Sequence, residues 1–362
     1  MTEIARPDTE RQLRIIAYWL LGVAAMVFMM VVIGGVTRLT ESGLSMVHWR
    51  PVTGWLPPLT EARWEEVFAA YRTSPEYREV NAGMTLAEFK GIFWLEYIHR
   101  LWGRLMGIAF FVPFVTFLMM KWVDRRLAVK LLIMFVLGGL QGVLGWYMVK
   151  SGLVDRPDVS QYRLTAHLGA ALLIYGYILW VAWGLLFPKP HDAAGGLGWR
   201  FAASLCAMIA LTILSGGFVA GLNAGFAYNT FPLMDGELIP EHLFALSPLA
   251  INFFEDVTTV QFTHRVLAIT TFAMVVVFWL VVRGSGCDKS VRHASHLLLG
   301  IAALQVTLGI STLVLYVPLP LAAAHQAVAV LLLTAGLWTA FQLRPSRQGR
   351  AAIAAGMGIV TK

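Results

Sequence analysis

Cysteine is nearly missing from this chain: two occur in 362 residues, Cys206 inside an apolar segment and Cys287 in a short basic loop. That excludes a disulfide framework and a thiolate metal site. Charge is scarce as well, at 14%, where soluble domains carry roughly a quarter. With 58% hydrophobic residues and a mean hydropathy of +0.67, the composition is that of a polytopic membrane protein. The net charge of +7 does not imply nucleic acid, because Lys and Arg are scattered through short loops instead of gathering with aromatics into a patch. The first 14 residues are polar and lead into a full-length span, without the short apolar core and small-residue cleavage site of a signal peptide.

What is present is a series of apolar runs near the length of about 20 residues that crosses the hydrocarbon layer. Eight spans are expected, at 15–37, 98–120, 128–148, 164–187, 201–220, 262–282, 293–316 and 321–342. Lys121, Arg125, Arg126 and Lys130 crowd the connection after the second span, and Lys189 and Arg200 flank the one after the fourth. Arg283, Lys289 and Arg292 fill the one after the sixth, and Arg344, Arg347 and Arg350 follow the eighth. The connection at 221–261 has no Lys or Arg, nor has the turn between the last two spans. Positive charge stays on the cytoplasmic side, so both termini are expected inside. The segment 38–97, with Trp49, Trp55, Trp64 and Trp94, is then a large outer lid whose aromatics suit the membrane interface, with a helix-like stretch from Leu59 to Tyr71.

The halves repeat. Gly34-Gly35, Gly43, Gly54, Leu56 and Pro58 match Gly216-Gly217, Gly225, Gly236, Leu238 and Pro240 at one constant offset. Leu140-Gln141 and Leu144-Gly145 match Leu304-Gln305 and Leu308-Gly309, and His99-Arg100 and Ala166-His167 match His264-Arg265 and Ala324-His325. Each copy has an even number of spans, which makes the repeat parallel about an axis along the membrane normal. The expected fold is all-α: eight transmembrane helices in two parallel-repeat four-helix bundles, residues 1–187 and 188–362, with the glycines and glutamines packing helix against helix.

Ionisable groups inside membrane segments are costly and usually functional. His99, His167, His264 and His325 fall at equivalent places near the outer ends of the even-numbered spans. Two imidazoles on facing helices of a bundle can clamp one haem iron, which gives two candidate sites, His99/His167 and His264/His325. Arg100, Arg104, Arg163 and Arg265 lie at the same outer ends, where the orientation rule gives them no reason to be, and carboxylate side chains of haem would account for them through bidentate pairing. Taken singly, a histidine at a membrane interface is a hydrogen-bonded structural residue, and so His48, His191, His242, His293 and His296 are read; the repetition of the other four argues for ligands, with a proton relay as the alternative.

The copies differ in chemistry. Glu96, three residues before His99, has Gln261 as its counterpart, and only an acid can ionise. The first bundle is therefore expected to hold what reacts and the second a permanent electron-transfer cofactor, unless Glu96 merely pairs with Arg100 one turn on. The residues alone also fit a di-haem b electron carrier that leaves its porphyrins unchanged, or a transporter with no haem.

The run from Trp49-Arg50-Pro51-Val52-Thr53-Gly54 through Pro75-Glu76-Tyr77 and Glu88-Phe89-Lys90 to Glu96-Tyr97-Ile98-His99-Arg100-Leu101-Trp102-Gly103-Arg104 resembles the mitochondrial and alphaproteobacterial branch of the haem A synthase family, and the likeness covers essentially the whole chain. The resemblance implies a membrane oxidoreductase for cytochrome oxidase biogenesis that turns the C8 methyl of haem O into the formyl group of haem A by two hydroxylations and loss of water. It implies that His99 and His167 hold the substrate haem, that Glu96 is the acid beside it, and that His264 and His325 ligate a haem b. The cysteine pair of some members is absent here. The expected partners are membrane lipid, the farnesyltransferase that makes haem O, an electron donor and a second copy of the chain. The expected location is a bacterial inner membrane, favoured by the short N-terminal tail, with the haem sites toward the periplasm.

Overall fold

A computed structural model describes residues 7–49, 53–152, 159–188 and 196–345. Arg50, Pro51, Val52, Lys189, His191, Arg347, Arg350 and the two termini, all used above, lie outside the described residues. The helices in chain order are α1 (Pro7–Leu39), α2 (Glu61–Tyr71), α3 (Pro75–Glu79), α4 (Leu86–Met119), α5 (Arg125–Gly152) and α6 (Gln161–Leu186). Then come α7 (Gly196–Gly221), the short α8 (Asn252–Glu255), α9 (Val257–Gly284), α10 (Lys289–Val314) and α11 (Leu319–Gln342). Among the described residues there is no strand, only an isolated bridge between Met234 and Glu237. Eight helices, α1, α4 to α7 and α9 to α11, are long and apolar enough to cross a membrane, one for each expected span. Large side chains on their outer faces, such as Leu173 and Ile269, are exposed where lipid would lie.

The chain separates into two compact units, 1–179 and 180–362. In the first, α4 packs on α1 and on α5. Pro113 sits inside α4 and has no N–H for the carbonyl one turn earlier, at Ala109. The indole of Trp19, on α1, donates to that carbonyl at 2.8 Å, and the indole of Trp102 donates back to Met26 O at 2.9 Å. In the second unit α7, α9, α10 and α11 pack in a closed ring, α7 on α9, α9 on α10, α10 on α11 and α11 on α7. The last turns of α6 belong to this unit, where Trp183 packs edge-on against Trp338.

The outer segment ends earlier than residue 97. Thr85 and Glu88 form a capping box, side chain to backbone in both directions, so that α4 begins at Leu86 and residues 86–97 are its first turns. The aromatics of this region do more than sit at an interface. Trp64, Phe68 and Tyr71 from α2 close on Phe89, Phe93 and Tyr97 of α4 to make a separate small core, in which Trp64 is 7% exposed and Tyr71 fully buried. Burial, with the neighbouring Glu76 carboxylate, pushes the Tyr71 phenol well above its ordinary range. Trp49, Trp55 and Trp94 stay about 40% exposed. The Leu59–Tyr71 stretch becomes α2, capped by Thr60.

If Trp19 serves the carbonyl that Pro113 orphans, Trp19→Phe should cost about 1–3 kcal/mol. The same change in a Pro113→Ala background should cost much less, because the restored amide takes the carbonyl over. Thermal unfolding of the four proteins in detergent checks this, and equal costs in both backgrounds would contradict it.

Candidate functional site

Four imidazoles sit in the first turns of α6, α9 and α11 and, because α4 starts early, somewhat deeper in α4. Each leans on a glycine of a neighbouring helix. A Cβ at Gly34 of α1 would lie 3.2 Å from His99, one at Gly145 of α5 3.0 Å from His167, one at Gly216 of α7 3.2 Å from His264, and one at Gly309 of α10 2.8 Å from His325. Those distances are below ordinary van der Waals contact, so no other residue type fits beneath the rings without displacement. The glycines expected to pack helix on helix are thus seats for the histidines.

Within each unit the two histidines rest on corresponding glycines, His99 and His167 on Gly34 and Gly145 and His264 and His325 on Gly216 and Gly309. The ring environments differ. In the second unit Ser215 Oγ is 2.7 Å from His264 Nδ1, where the hydroxyl can accept from Nδ1–H and leave the Nε2 lone pair for a ligand, and the Gln305 amide nitrogen lies 3.1 Å from His325 Nδ1 and 3.4 Å from its Nε2. In the first unit Gln141 instead donates to the backbone carbonyl of His167, at 2.7 Å, and the buried His167 Nδ1 has no partner among the described residues. These donor sets fit haem. Each site offers two imidazoles, and no cluster of three or more His, Cys, Asp or Glu exists among the described residues to cage a bare ion. A haem iron, which takes two axial imidazoles, would suit such a donor set.

Glu96 is 2% exposed and does two jobs for the outer segment. Its Oε1 accepts from Arg100 Nε at 3.0 Å and from Arg100 Nη2 at 2.5 Å, the ion pair one turn on. Its Oε2 accepts from the Ser45 hydroxyl at 2.7 Å and from the Met46 amide at 2.6 Å. Arg100 adds donations to Met46 O at 2.9 Å and His48 O at 3.2 Å. Glu96 and Arg100 together pin residues 45–48 to the helix that carries His99, and breaking such a buried pair typically costs about 3–5 kcal/mol. The second unit repeats the arrangement without a carboxylate. Gln261 Nε2 donates to Tyr228 O at 3.1 Å, while Arg265 donates to Tyr228 O at 2.8 Å, Thr230 O at 2.9 Å and Leu233 O at 3.3 Å.

Loop carbonyls therefore occupy much of the donor capacity that the sequence suggested for haem carboxylates. Arg104 donates to Thr53 O at 3.3 Å and stacks over Trp55, and Arg163 donates to Tyr147 O at 3.3 Å and lies 4.0 Å over the Tyr147 ring. Neither the seats nor the loop pins were legible beforehand, although the glycine repeat that builds the seats was. Of the other histidines, His296 is hydrogen-bonded as expected, its Nδ1 to Arg292 O at 2.7 Å. Cys206 and Cys287 are both free.

A seat is tested by filling it. Gly309→Ala, at 2.8 Å from His325, should lower the thermal midpoint by several degrees. Gly107→Ala in α4, where nothing lies within 4 Å, should be neutral or slightly stabilising, by about 0.5–1 kcal/mol. Equal effects of the two would refute the seat.

A family described as "Cytochrome oxidase assembly protein", COX15-CtaA, matches residues 17–337. "Heme A synthase" of Nitrosospira multiformis is 57% identical over 332 residues, covering 91% of this chain and 93% of that protein. "Heme A synthase" of Parvibaculum lavamentivorans is 52% identical, covering 91% and 94% respectively. "Heme A synthase COX15" of Bos taurus is 47% identical, covering 91% of this chain and 82% of the bovine protein.

Proposed function

Since the chain belongs to the COX15-CtaA family, whose relatives named above are haem A synthases, we propose that its two imidazole pairs divide the work of that reaction. The chain is an enzyme that converts haem O to haem A by oxidising a methyl group. In the proposed division His99 and His167 hold the haem O being oxidised at its C8 methyl, and His264 and His325 hold a resident haem b, which supplies one-electron transfer. The observation that carries this reading is the difference in ring support. Ser215 and Gln305 lock the second pair, as suits a cofactor that stays, while His99 and His167 lack side-chain partners of that kind among the described residues, as suits a substrate that must enter and leave.

Glu96 acts in two ways on this reading. It holds Ser45 and Met46 over the face of α4 that bears His99, and it keeps a negative charge beside the substrate where a cationic carbon or a departing proton arises. Gln261, its counterpart, can serve only the first purpose. Each of two successive C–H to C–OH conversions removes two electrons from the methyl carbon, taken by an external oxidant that also accepts the donor's electrons, and the resulting geminal diol loses water to give the aldehyde. Haem O arrives from the farnesyltransferase that makes it, and the electrons come from a separate donor. The chain, a multi-pass membrane protein, lies in a bacterial inner membrane with its termini cytoplasmic and both haem sites toward the periplasm. The basic connections after α4, α6 and α9 support that orientation.

Two measurements test the division. Mass analysis of porphyrin extracted from Glu96→Gln protein should show haem A falling at least tenfold and haem O accumulating, with haem b retained. Haem A at the wild-type rate would refute the role of Glu96, and haem b alone in the wild-type protein would favour the di-haem carrier. Separately, Ser215→Ala should weaken retention of haem b by about 10–100-fold without changing the porphyrin at the first pair. Unchanged retention in the absorption spectrum would contradict the locked-ring assignment.

A further inference from the structure

The two halves place the same glutamine beside the same histidine and use it differently. Gln141 stands four residues before Gly145 on α5, and Gln305 four residues before Gly309 on α10, so each shares a helix face with the glycine on which an imidazole rests. Both rings lie on their seats in the same pose. A Cβ at Gly145 would lie 3.0 Å from His167 Cε1 and 3.7 Å from each ring nitrogen; at Gly309 the distances to Cε1, Nδ1 and Nε2 of His325 are 2.8, 3.4 and 3.5 Å. Only the glutamines part. Gln305 turns its amide to the ring, 3.1 Å from Nδ1, whereas Gln141 turns away and donates from Nε2 to the backbone carbonyl of His167 at 2.7 Å.

That choice leaves two buried atoms of the first unit without a hydrogen-bond partner among the described residues, Gln141 Oε1 and His167 Nδ1. A carbonyl only accepts, so the amide nitrogen of Gln141 must face it and the amide oxygen must point elsewhere. The two orphans are complementary: Oε1 is an acceptor, and Nδ1 carries the proton whenever Nε2 keeps its lone pair for a metal. The bond that Gln141 makes instead is a surplus one. His167 lies inside α6, where its carbonyl already serves the amide one turn on. Leaving a buried donor and a buried acceptor unpaired is costly, and the ring-facing position that Gln305 takes would join them for the loss of one extra bond to a carbonyl. At Gln305 itself the amide need only turn end over end for its Oε1 to accept from His325 Nδ1–H.

We propose that Gln141 is a movable support for His167, a positioning residue of the substrate site. With the site empty it rests on the His167 carbonyl; with the iron of haem O on His167 Nε2 it swings to the ring and accepts from Nδ1–H through Oε1. The inference rests on the placing of haem O at His99/His167. An acceptor on Nδ1–H makes the imidazole a stronger base toward ferric iron. The swing therefore tightens the grip while the substrate is held, and the return loosens it for product release. Gln305, already at its ring, suits a cofactor that stays.

The test is an absorption titration of the purified protein, with haem b retained and the first pair empty, using iron protoporphyrin IX in the ferric and in the dithionite-reduced state. Gln141→Leu should weaken ferric binding about tenfold and leave ferrous binding unchanged, which raises the potential of that iron by about 59 mV. Gln141→Glu, which keeps an oxygen for Nδ1–H, should hold ferric affinity at or above the wild-type value. An intact haem b spectrum in both variants reports that the fold is kept. Equal losses in the two oxidation states would overturn the proposal and leave Gln141 only its bond between helices; no loss in either would overturn it as well. Should Gln141→Leu fail to retain haem b, Gln141→Glu decides alone, and a ferric affinity below wild type would overturn the support. Ferric binding unaffected by His167→Ala would refute the siting of the substrate, whereas a loss in His167→Ala beside an inert Gln141→Leu refutes the movable support only.

Discussion

An imidazole can lie flat against a helix only where the residue beneath it has no side chain. That constraint recurs four times, at Gly34, Gly145, Gly216 and Gly309, where an added Cβ would come within 2.8–3.2 Å of a histidine ring. The consequences run through both units. The seats fix how closely α1 approaches α4, α5 approaches α6, α7 approaches α9 and α10 approaches α11. A bundle interior lined with Leu and Phe would otherwise bury four polar rings at a cost of several kcal/mol each without compensation. Ser215 and Gln305 supply a partner at His264 and His325.

The outer segments depend on the same helices. One residue after each of His99 and His264, an arginine reaches up and collects backbone carbonyls, Met46 and His48 in one unit and Tyr228, Thr230 and Leu233 in the other. Irregular backbone near the membrane surface needs such partners. The residue three before each histidine completes the pin, as Glu96 or as Gln261. A carboxylate there accepts from the loop and from Arg100, whereas an amide donates to the loop. One substitution thus preserves the architecture and changes the charge beside the site, which is where the two halves part in chemistry.

Hydropathy made the eight spans legible, because crossing a membrane is a one-dimensional demand on length and polarity. The four histidines and the glycine pairs could be read from recurrence along the chain. What the histidines rest on could not, since Gly309 and His325 meet across two helices and nothing local marks the meeting. The loop bonds of the arginines are hidden for the same reason: a guanidinium at a span's outer end is equally ready for a carboxylate or a carbonyl, and only the fold brings His48 O or Thr230 O into reach. Hydropathy puts the end of the outer segment at 97 because the apolar run begins at Ile98, whereas α4 starts at Leu86 and its Phe89, Phe93 and Tyr97 build a small core outside that run.

The central claim is that seated imidazoles meet in pairs on an iron, and electron paramagnetic resonance of the purified ferric protein tests it most directly. The account predicts a low-spin six-coordinate signal with bis-imidazole anisotropy from the His264/His325 site, converted to high spin in His325→Ala. A wild-type signal that is high-spin alone, or a low-spin signal that survives when His167 and His325 are both replaced by Ala, would contradict it.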